Sequence, residues 1–236
     1  MCARFTLTQS ATSLSEYFGL LACPLIKPRF NIAPTQPVLC LRHDGEDTTP
    51  ALLRWGLIPS WAKNISVGVR AINARGETIF EKPTFRQAWQ SRRCVVLADG
   101  FYEWKSVGGR KKPFHITTST DAAQIPMLMA GLWESWQAPN LPDAKPVESC
   151  TVITTQANER MRELHDRMPV LLEKSDLGVW LSDDHATPEQ RLELLKPCAS
   201  DLLTISPANP WLNRVTNEGP RCLEPPKDSE VQGELF

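Results

Sequence analysis

The chain opens Met1-Cys2-Ala3-Arg4-Phe5. If Met1 is trimmed, Cys2 carries a free α-amine and a thiol on adjacent carbons, a 1,2-aminothiol that no internal cysteine can form. Such a pair captures aldehydes: the amine condenses to an imine, and the thiol then closes a five-membered thiazolidine ring that resists hydrolysis better than the imine does. The amine titrates near about 8 and the thiol near about 8.5, so both are partly deprotonated at neutral pH. Position alone favours a plainer role for a second-residue cysteine, because free Cys is often simply buried as a small apolar residue.

Three further segments gather ionisable or amide side chains at the edges of apolar stretches. They are Ile72-Asn73-Ala74-Arg75-Gly76-Glu77-Thr78, Ala98-Asp99-Gly100-Phe101-Tyr102-Glu103-Trp104 and Leu164-His165-Asp166-Arg167-Met168-Pro169. A nucleophile, a group that titrates near neutrality and a carboxylate form a workable catalytic set. Each residue also has a plainer reading. Glu103 alternates with Phe101 and Trp104 and reads as a solvent-facing strand residue, His165 reads as a helix-end or surface histidine, and Asn31 and Asn73 read as turn residues.

The elements that must position these groups follow from periodicity and punctuation. Ala3–Leu7 reads as a strand and Thr12–Leu20 as a helix with one apolar face. Val38–Arg42 and Ala51–Trp55 read as paired strands around a polar turn at His43–Pro50. Gly56–Arg75 reads as a long surface excursion, and Glu77–Gln90 as mostly helical despite Pro83. Arg92–Leu97 and Phe101–Lys105 read as buried strands interrupted at Asp99-Gly100, and Gly108-Gly109 as a hairpin. Strands follow at Lys112–Thr118, Met127–Trp136, Ser149–Thr155, Met168–Leu172 and Leu202–Ser206. Asn158 caps a short helix to Leu164, and Thr187-Pro188-Glu189-Gln190 forms a capping box for a helix that Pro197 stops. The expectation is an α+β fold: a single domain, with a curved mixed or antiparallel sheet or barrel-like core and short peripheral helices. The domain spans 1–225, and 226–236 forms a loose charged tail.

Composition narrows the function classes. At 236 residues, 42% hydrophobic and 22% charged, the chain is that of a globular protein. Its longest nearly apolar stretch is far short of the roughly 18 residues of a membrane span, and the opening lacks a signal-peptide pattern. Together with seven scattered cysteines, this points to a reducing, cytoplasmic setting rather than a disulfide framework. Only His43, three residues after Cys40, lies near a cysteine, and there is no C-x-x-C pair, so no metal and no cofactor is expected. The net charge of −1 hides a division: residues 1–115 carry 16 Lys or Arg against 8 Asp or Glu, and residues 116–236 carry 10 against 19. Between Arg54 and Lys112, 12 basic residues face 4 acidic ones, interleaved with Trp55, Trp61, Trp89 and Trp104. Cations that track phosphate and aromatics that stack on bases suit single-stranded nucleic acid; a solvated basic face over core tryptophans suits the same composition.

Taken together, these blocks resemble the SRAP family, the SOS-response-associated peptidases, also described as abasic-site processing proteins. The resemblance rests on Met-Cys-x-Arg-Phe, Arg29-Phe30-Asn31-Ile32-Ala33-Pro34-Thr35-Gln36, Trp55-Gly56-Leu57-Ile58-Pro59-Ser60-Trp61, Asn73-Ala74-Arg75-Gly76-Glu77-Thr78, Ala98-Asp99-Gly100-Phe101-Tyr102-Glu103-Trp104-Lys105 and His165-Asp166-Arg167-Met168-Pro169-Val170. The family usually has Gly where this chain has Ala3. The resemblance implies covalent capture, through Cys2, of the ring-opened aldehyde of an abasic site in single-stranded DNA. It further implies Glu103 and His165 as the proton-transfer pair and Asn73 as an orienting amide. Arg4, Arg75 and Arg167 would grip phosphates, Asn31 would lie at the DNA contact, and Trp61 or Trp104 would stack on or wedge a base. A monomer without a membrane partner is expected. A cysteine peptidase, autocatalytic or acting on other proteins, and a non-catalytic single-strand binding module remain the alternatives.

Overall fold

A computed structural model describes residues 2–44, 47–118, 125–182 and 186–226. Met1 and most of the expected tail, 227–236, lie outside the described residues. The strands are β1 (Arg4–Leu7), β2 (Arg29–Ile32), β3 (Pro37–Asp44), β4 (Asp47–Trp55), β5 (Asn73–Arg75), β6 (Arg93–Ala98) and β7 (Gly100–Val107). They continue with β8 (Arg110–Thr118), β9 (Met127–Trp136), β10 (Val147–Gln156), β11 (Arg167–Pro169), β12 (Leu171–Leu172) and β13 (Leu203–Pro207). Five short helices lie around them: α1 (Ala11–Phe18), α2 (Arg86–Ser91), α3 (Glu159–Arg162), α4 (Leu177–Leu181) and α5 (Pro188–Glu193).

Two sheets share one core. The first runs β13-β8-β7-β1-β2 and is antiparallel. In the second, β10 pairs with β4 on one side and with β9 on the other, while β4, β3, β6 and β9 pair in succession, so five strands close into a ring. Closure removes free edges from these strands. The expected barrel-like α+β core is therefore present. Inside it Phe5 of β1 packs on Trp55 of β4, ring centroids 4.9 Å apart, which joins the two sheets. Every residue of β6 is buried, because β6 lies between β3 and β9 with α4 packed across it.

Local signals explain the ends of the helices and hairpins. Ser10 caps α1 by accepting from the Ser13 amide, and Gly19 ends it in the left-handed region. Asn158 caps α3, and Thr187 with Gln190 forms the capping box of α5. Gly108 and Gly109 turn the β7–β8 hairpin, both at positive φ.

Elsewhere the expected elements change. The strands around His43–Pro50 run on to Asp44 and restart at Asp47, so the turn is shorter than its polar composition suggests. The expected helix over Glu77–Gln90 reduces to a 3-10 turn at Gly76–Thr78 and α2. Gly56–Arg75 is not a free excursion: Gly56, Leu57, Ile58 and Ala74 are buried, and Asn73–Arg75 pairs with β10 in parallel. Gly56 and Gly68 make that path possible, since a Cβ on Gly68 would stand 2.4 Å from the Gly56 carbonyl oxygen. The strand expected over Met168–Leu172 divides into β11 and β12, because Val170 turns aside to accept from Ala130 and donate to Ile153.

A candidate site around Cys2

Cys2, Asn73 and Glu103 meet at a seam between the two sheets, and β10 ties the His165 segment to Asn73. Cys2 precedes β1, which pairs with β7 so that Arg4 faces Tyr102; Glu103 lies on β7. Asn73 opens β5, which β10 holds in register at Val152↔Asn73 and Thr154↔Arg75. On its other side β10 pairs with β11, Gln156↔Arg167, which brings in the loop that carries His165. One strand thus carries both Asn73 and the His165–Arg167 segment.

Cys2 is 0% exposed and belongs to the main core, so the plain expectation of a buried cysteine is met as far as packing goes. Its surroundings are not plain. Asn73 Nδ2 donates to the Cys2 carbonyl at 2.8 Å. Asn73 Oδ1 is buried and, among the described residues, has no hydrogen-bond partner. Burial raises the Cys2 thiol well above its usual range, and the charge of Glu103 raises it further. The thiol hydrogen turns to the Arg4 carbonyl at 3.8 Å. Glu103 is 4% exposed, against the expectation of a solvent-facing strand residue. Alternation on β7 points Trp104 and Tyr102 to the opposite side from Glu103.

His165 has a partner for each of its protonation states. Nδ1 accepts from the Arg167 backbone N–H at 3.0 Å, which in the neutral ring makes Nε2 the nitrogen that carries the proton. Nδ1 also lies 2.7 Å from Asp166 Oδ1, a contact that suits the imidazolium. These are alternatives, because one nitrogen cannot accept from the amide and donate to the carboxylate at once.

The expected phosphate-binding arginines differ in freedom. Arg75 is exposed and lines a cleft of about 400 Å³ with Gln156, Arg162, Asp166 and Arg167. Arg167 is committed: Nη1 and Nη2 donate to the two Glu77 oxygens at 2.6 and 2.8 Å, and Nη2 also donates to the Thr154 carbonyl at 2.7 Å. Arg4 Nη1 donates to Asn31 Oδ1 at 2.8 Å and to the Leu212 carbonyl at 3.1 Å, and its guanidinium lies 5.9 Å from the Trp104 ring centre. Asn31 is fully buried, and its amide donates to the carbonyls of Leu212, Arg214 and Asn217. Its side chain therefore holds Arg4 and the 212–217 loop from within the fold. Trp61 is 58% exposed, and among the described residues no hydrogen bond or ring contact links it to the others. Sequence reasoning assigned nothing to Glu77, although it is one of only four carboxylates in the basic Arg54–Lys112 stretch.

The comparisons with known proteins bear on this geometry. A family profile described as SOS response associated peptidase (SRAP) matches residues 1–215. The chain belongs to the SRAP family. An abasic site processing protein of Bacillus subtilis (strain 168), YoqW, is 38% identical over 228 residues, covering 95% of this chain and 99% of that protein. The abasic site processing protein HMCES of Xenopus tropicalis is 31% identical over 225 residues, covering 84% of this chain and 66% of that protein. A crystal structure of a Bacteroides thetaiotaomicron protein matches the SRAP fold described above with a TM-score of 0.82 at 21% identity, over 95% of this chain and 99% of that one. At that identity the likeness shows the fold alone. No helix among the described residues is long and apolar enough to cross a membrane.

Proposed function

We propose that this SRAP chain processes abasic sites in single-stranded DNA by covalent capture at Cys2 once Met1 is removed. The observation that carries the reading is the Asn73–Cys2–Glu103 grouping. An amide holds the Cys2 carbonyl, a buried carboxylate stands by, and the Asn73 oxygen is an acceptor suited to a free amine or a sugar hydroxyl. The names of the relatives agree with an abasic-site role.

The steps balance as follows. The Cys2 amine adds to the aldehyde carbon of the ring-opened deoxyribose, and a proton passes from nitrogen to oxygen. Loss of water leaves the imine. The thiol then adds across C=N, sulfur to carbon and proton to nitrogen, closing the thiazolidine. Glu103 takes the proton from the ammonium and returns it. His165, protonated, supplies one to the sugar ring oxygen as the ring opens, and Asp166 stabilises that imidazolium. The buried, high-pKa thiol fits this order, since the amine acts first and the sulfur is needed only after the electrophile is tethered beside it, where capture is effectively unimolecular. The same thiol fits poorly with a cysteine peptidase, which attacks as a thiolate.

The decisive experiment is a denaturing gel with single-stranded DNA that carries one abasic site. Wild type should give a heat-stable shifted band, while Cys2→Ala and a form that retains one residue before Cys2 should give none. A wild-type lane without the band would falsify the reading. A band that survives Cys2→Ala would move the nucleophile elsewhere.

A further inference from the structure

The acidic half of the chain contains a locally basic aromatic strip. Between Leu203 and Leu223 the single carboxylate is Glu218, and Arg29 neutralises it at 3.1 Å while the Phe30 amide also donates to it. Arg214 and Arg221 are exposed and, among the described residues, form no ion pair. Arg221 lies over the Trp211 ring at 5.2 Å, the same construction as Arg4 over Trp104. A guanidinium resting on an indole keeps its N–H edge turned outward and pre-organised for phosphate.

The strip is fastened to Trp104 and, through Asn31, to Arg4. Trp104 Nε1 donates to Asn213 Oδ1 at 2.8 Å. Asn209 caps the 3-10 turn Pro210–Asn213 by accepting from the Trp211 amide, and Asn217 Nδ2 donates to the Trp211 carbonyl. Asn31 fastens the 212–217 loop from beneath through its three carbonyl contacts. Trp211 and Trp104 pack on one small cluster with Tyr102, Leu212 and Cys222. Trp211, Arg214 and Arg221 thus lie on a loop fastened to Trp104 and, through Asn31, to Arg4.

We infer that the Trp211–Arg221 strip is a second contact for single-stranded nucleic acid, holding the nucleotides that flank the reacting one on the Trp104 side. The inference rests on the proposed function for the direction of the strand. The occupant is a single strand rather than a duplex because the strip sets the Trp211 indole beside Arg221, and indoles stack on unpaired bases.

The test uses the full chain and an intact oligothymidylate of roughly 15 nucleotides with no abasic site, within the range such sites cover. Affinity is measured across a salt series for wild type, Arg214→Ala/Arg221→Ala and Trp211→Ala. The double variant should lower the slope of log affinity against log salt by about 1.4, at ~0.7 per phosphate contact on a single strand. Trp211→Ala should weaken binding on the order of tenfold. Hydrogen exchange of residues 209–223 in wild type should slow when the oligonucleotide is added, a readout that needs no variant to fold. Unchanged slope and affinity in the double variant, unchanged exchange in wild type, or equal retention of poly-glutamate would overturn the inference. Because the probe has no aldehyde, these results are independent of the crosslinking gel. A wild type that crosslinks while the strip variants bind like wild type would sink the strip and leave the proposed function intact, and the converse pattern would do the opposite.

Discussion

His115 on β8 makes a pH-dependent contribution to stability that can be worked out from its surroundings. Its ring stacks on Tyr102, centroids 4.8 Å apart, and Nε2 lies 3.3 Å from Thr6 Oγ1. Gly100 passes so close that a Cβ there would stand 2.6 Å from Nε2. Burial lowers the imidazole from 6.5 to about 4. The unfolded chain then binds the proton more readily than the folded one between those values. Stability is therefore complete above about pH 6.5 and falls as pH drops toward 4, where the folded ring also takes up its proton. The loss for this one group amounts to about 0.7 kcal/mol between pH 7 and 6 and about 1.8 kcal/mol between pH 7 and 5. Other groups titrate over the same range, so the informative quantity is a difference. In His115→Gln the amide can still bond to Thr6 Oγ1 but cannot ionise. Urea unfolding of both proteins at pH 7, 6 and 5 should show wild type losing stability relative to the variant by those amounts. Parallel stability curves would mean that His115 is neither neutral nor shielded in the fold.

Three other outcomes follow from the geometry. Glu77→Gln should cost about 1–2 kcal/mol in urea unfolding: removing one partner strands the buried Arg167, but Glu77 is 42% exposed in its side chain, so water offsets part of the loss. Arg167 holds the Glu77 carboxyl below its usual range, so the pair's contribution is present above about pH 4.3 and disappears as pH falls through the depressed value, a loss the variant should not show. Gly68→Ala should lower the melting transition by the equivalent of roughly 2 kcal/mol or more, because the new Cβ meets backbone at 2.4 Å rather than a movable side chain; a wild-type melt would show that the loop is slack. Asn73→Ala should slow single-turnover crosslinking at least about tenfold, and a rate equal to wild type would show the Cys2 carbonyl bond to be dispensable.

What could be read from the sequence was mostly local. Asn158 and Thr187 announce helix starts because a capping side chain bonds within three residues, and Gly108-Gly109 announces a hairpin because both positions require positive φ, whereas the helix expected from Thr12 starts at Ala11 under a Ser10 cap. The helix expected over Glu77–Gln90 fails because Pro83 divides it: Ile79 reaches the core from the 3-10 turn before the proline, and Ala88 and Trp89 reach it from α2 after it. β5 is three residues long and exists only through its pairing with β10, 79 residues away at Val152↔Asn73, so no periodicity could reveal it. The site behaves similarly. Its residues stand out as blocks, yet the Glu77–Arg167 pair spans 90 residues, and both faces of β7 are buried at Phe101, Tyr102 and Glu103, so an alternating pattern with one solvent face does not apply there. The charge division between the halves likewise hides Arg214 and Arg221, which sit in the acidic half beside a single, already neutralised carboxylate.

The shared attachment to β10 has a mechanical consequence. Asn73 and the His165–Arg167 loop hang from the same strand, so a displacement of β10 carries them together and leaves their mutual spacing unchanged. Cys2 and Glu103 ride on the opposite sheet and likewise move as a pair. The two pairs are joined across the sheets by the Asn73–Cys2 bond, and the sheets themselves by the Phe5–Trp55 contact in the core. The spacing of the two pairs is then set in the core: trimming Phe5 or Trp55 should alter it without removing Cys2, Asn73, Glu103 or His165.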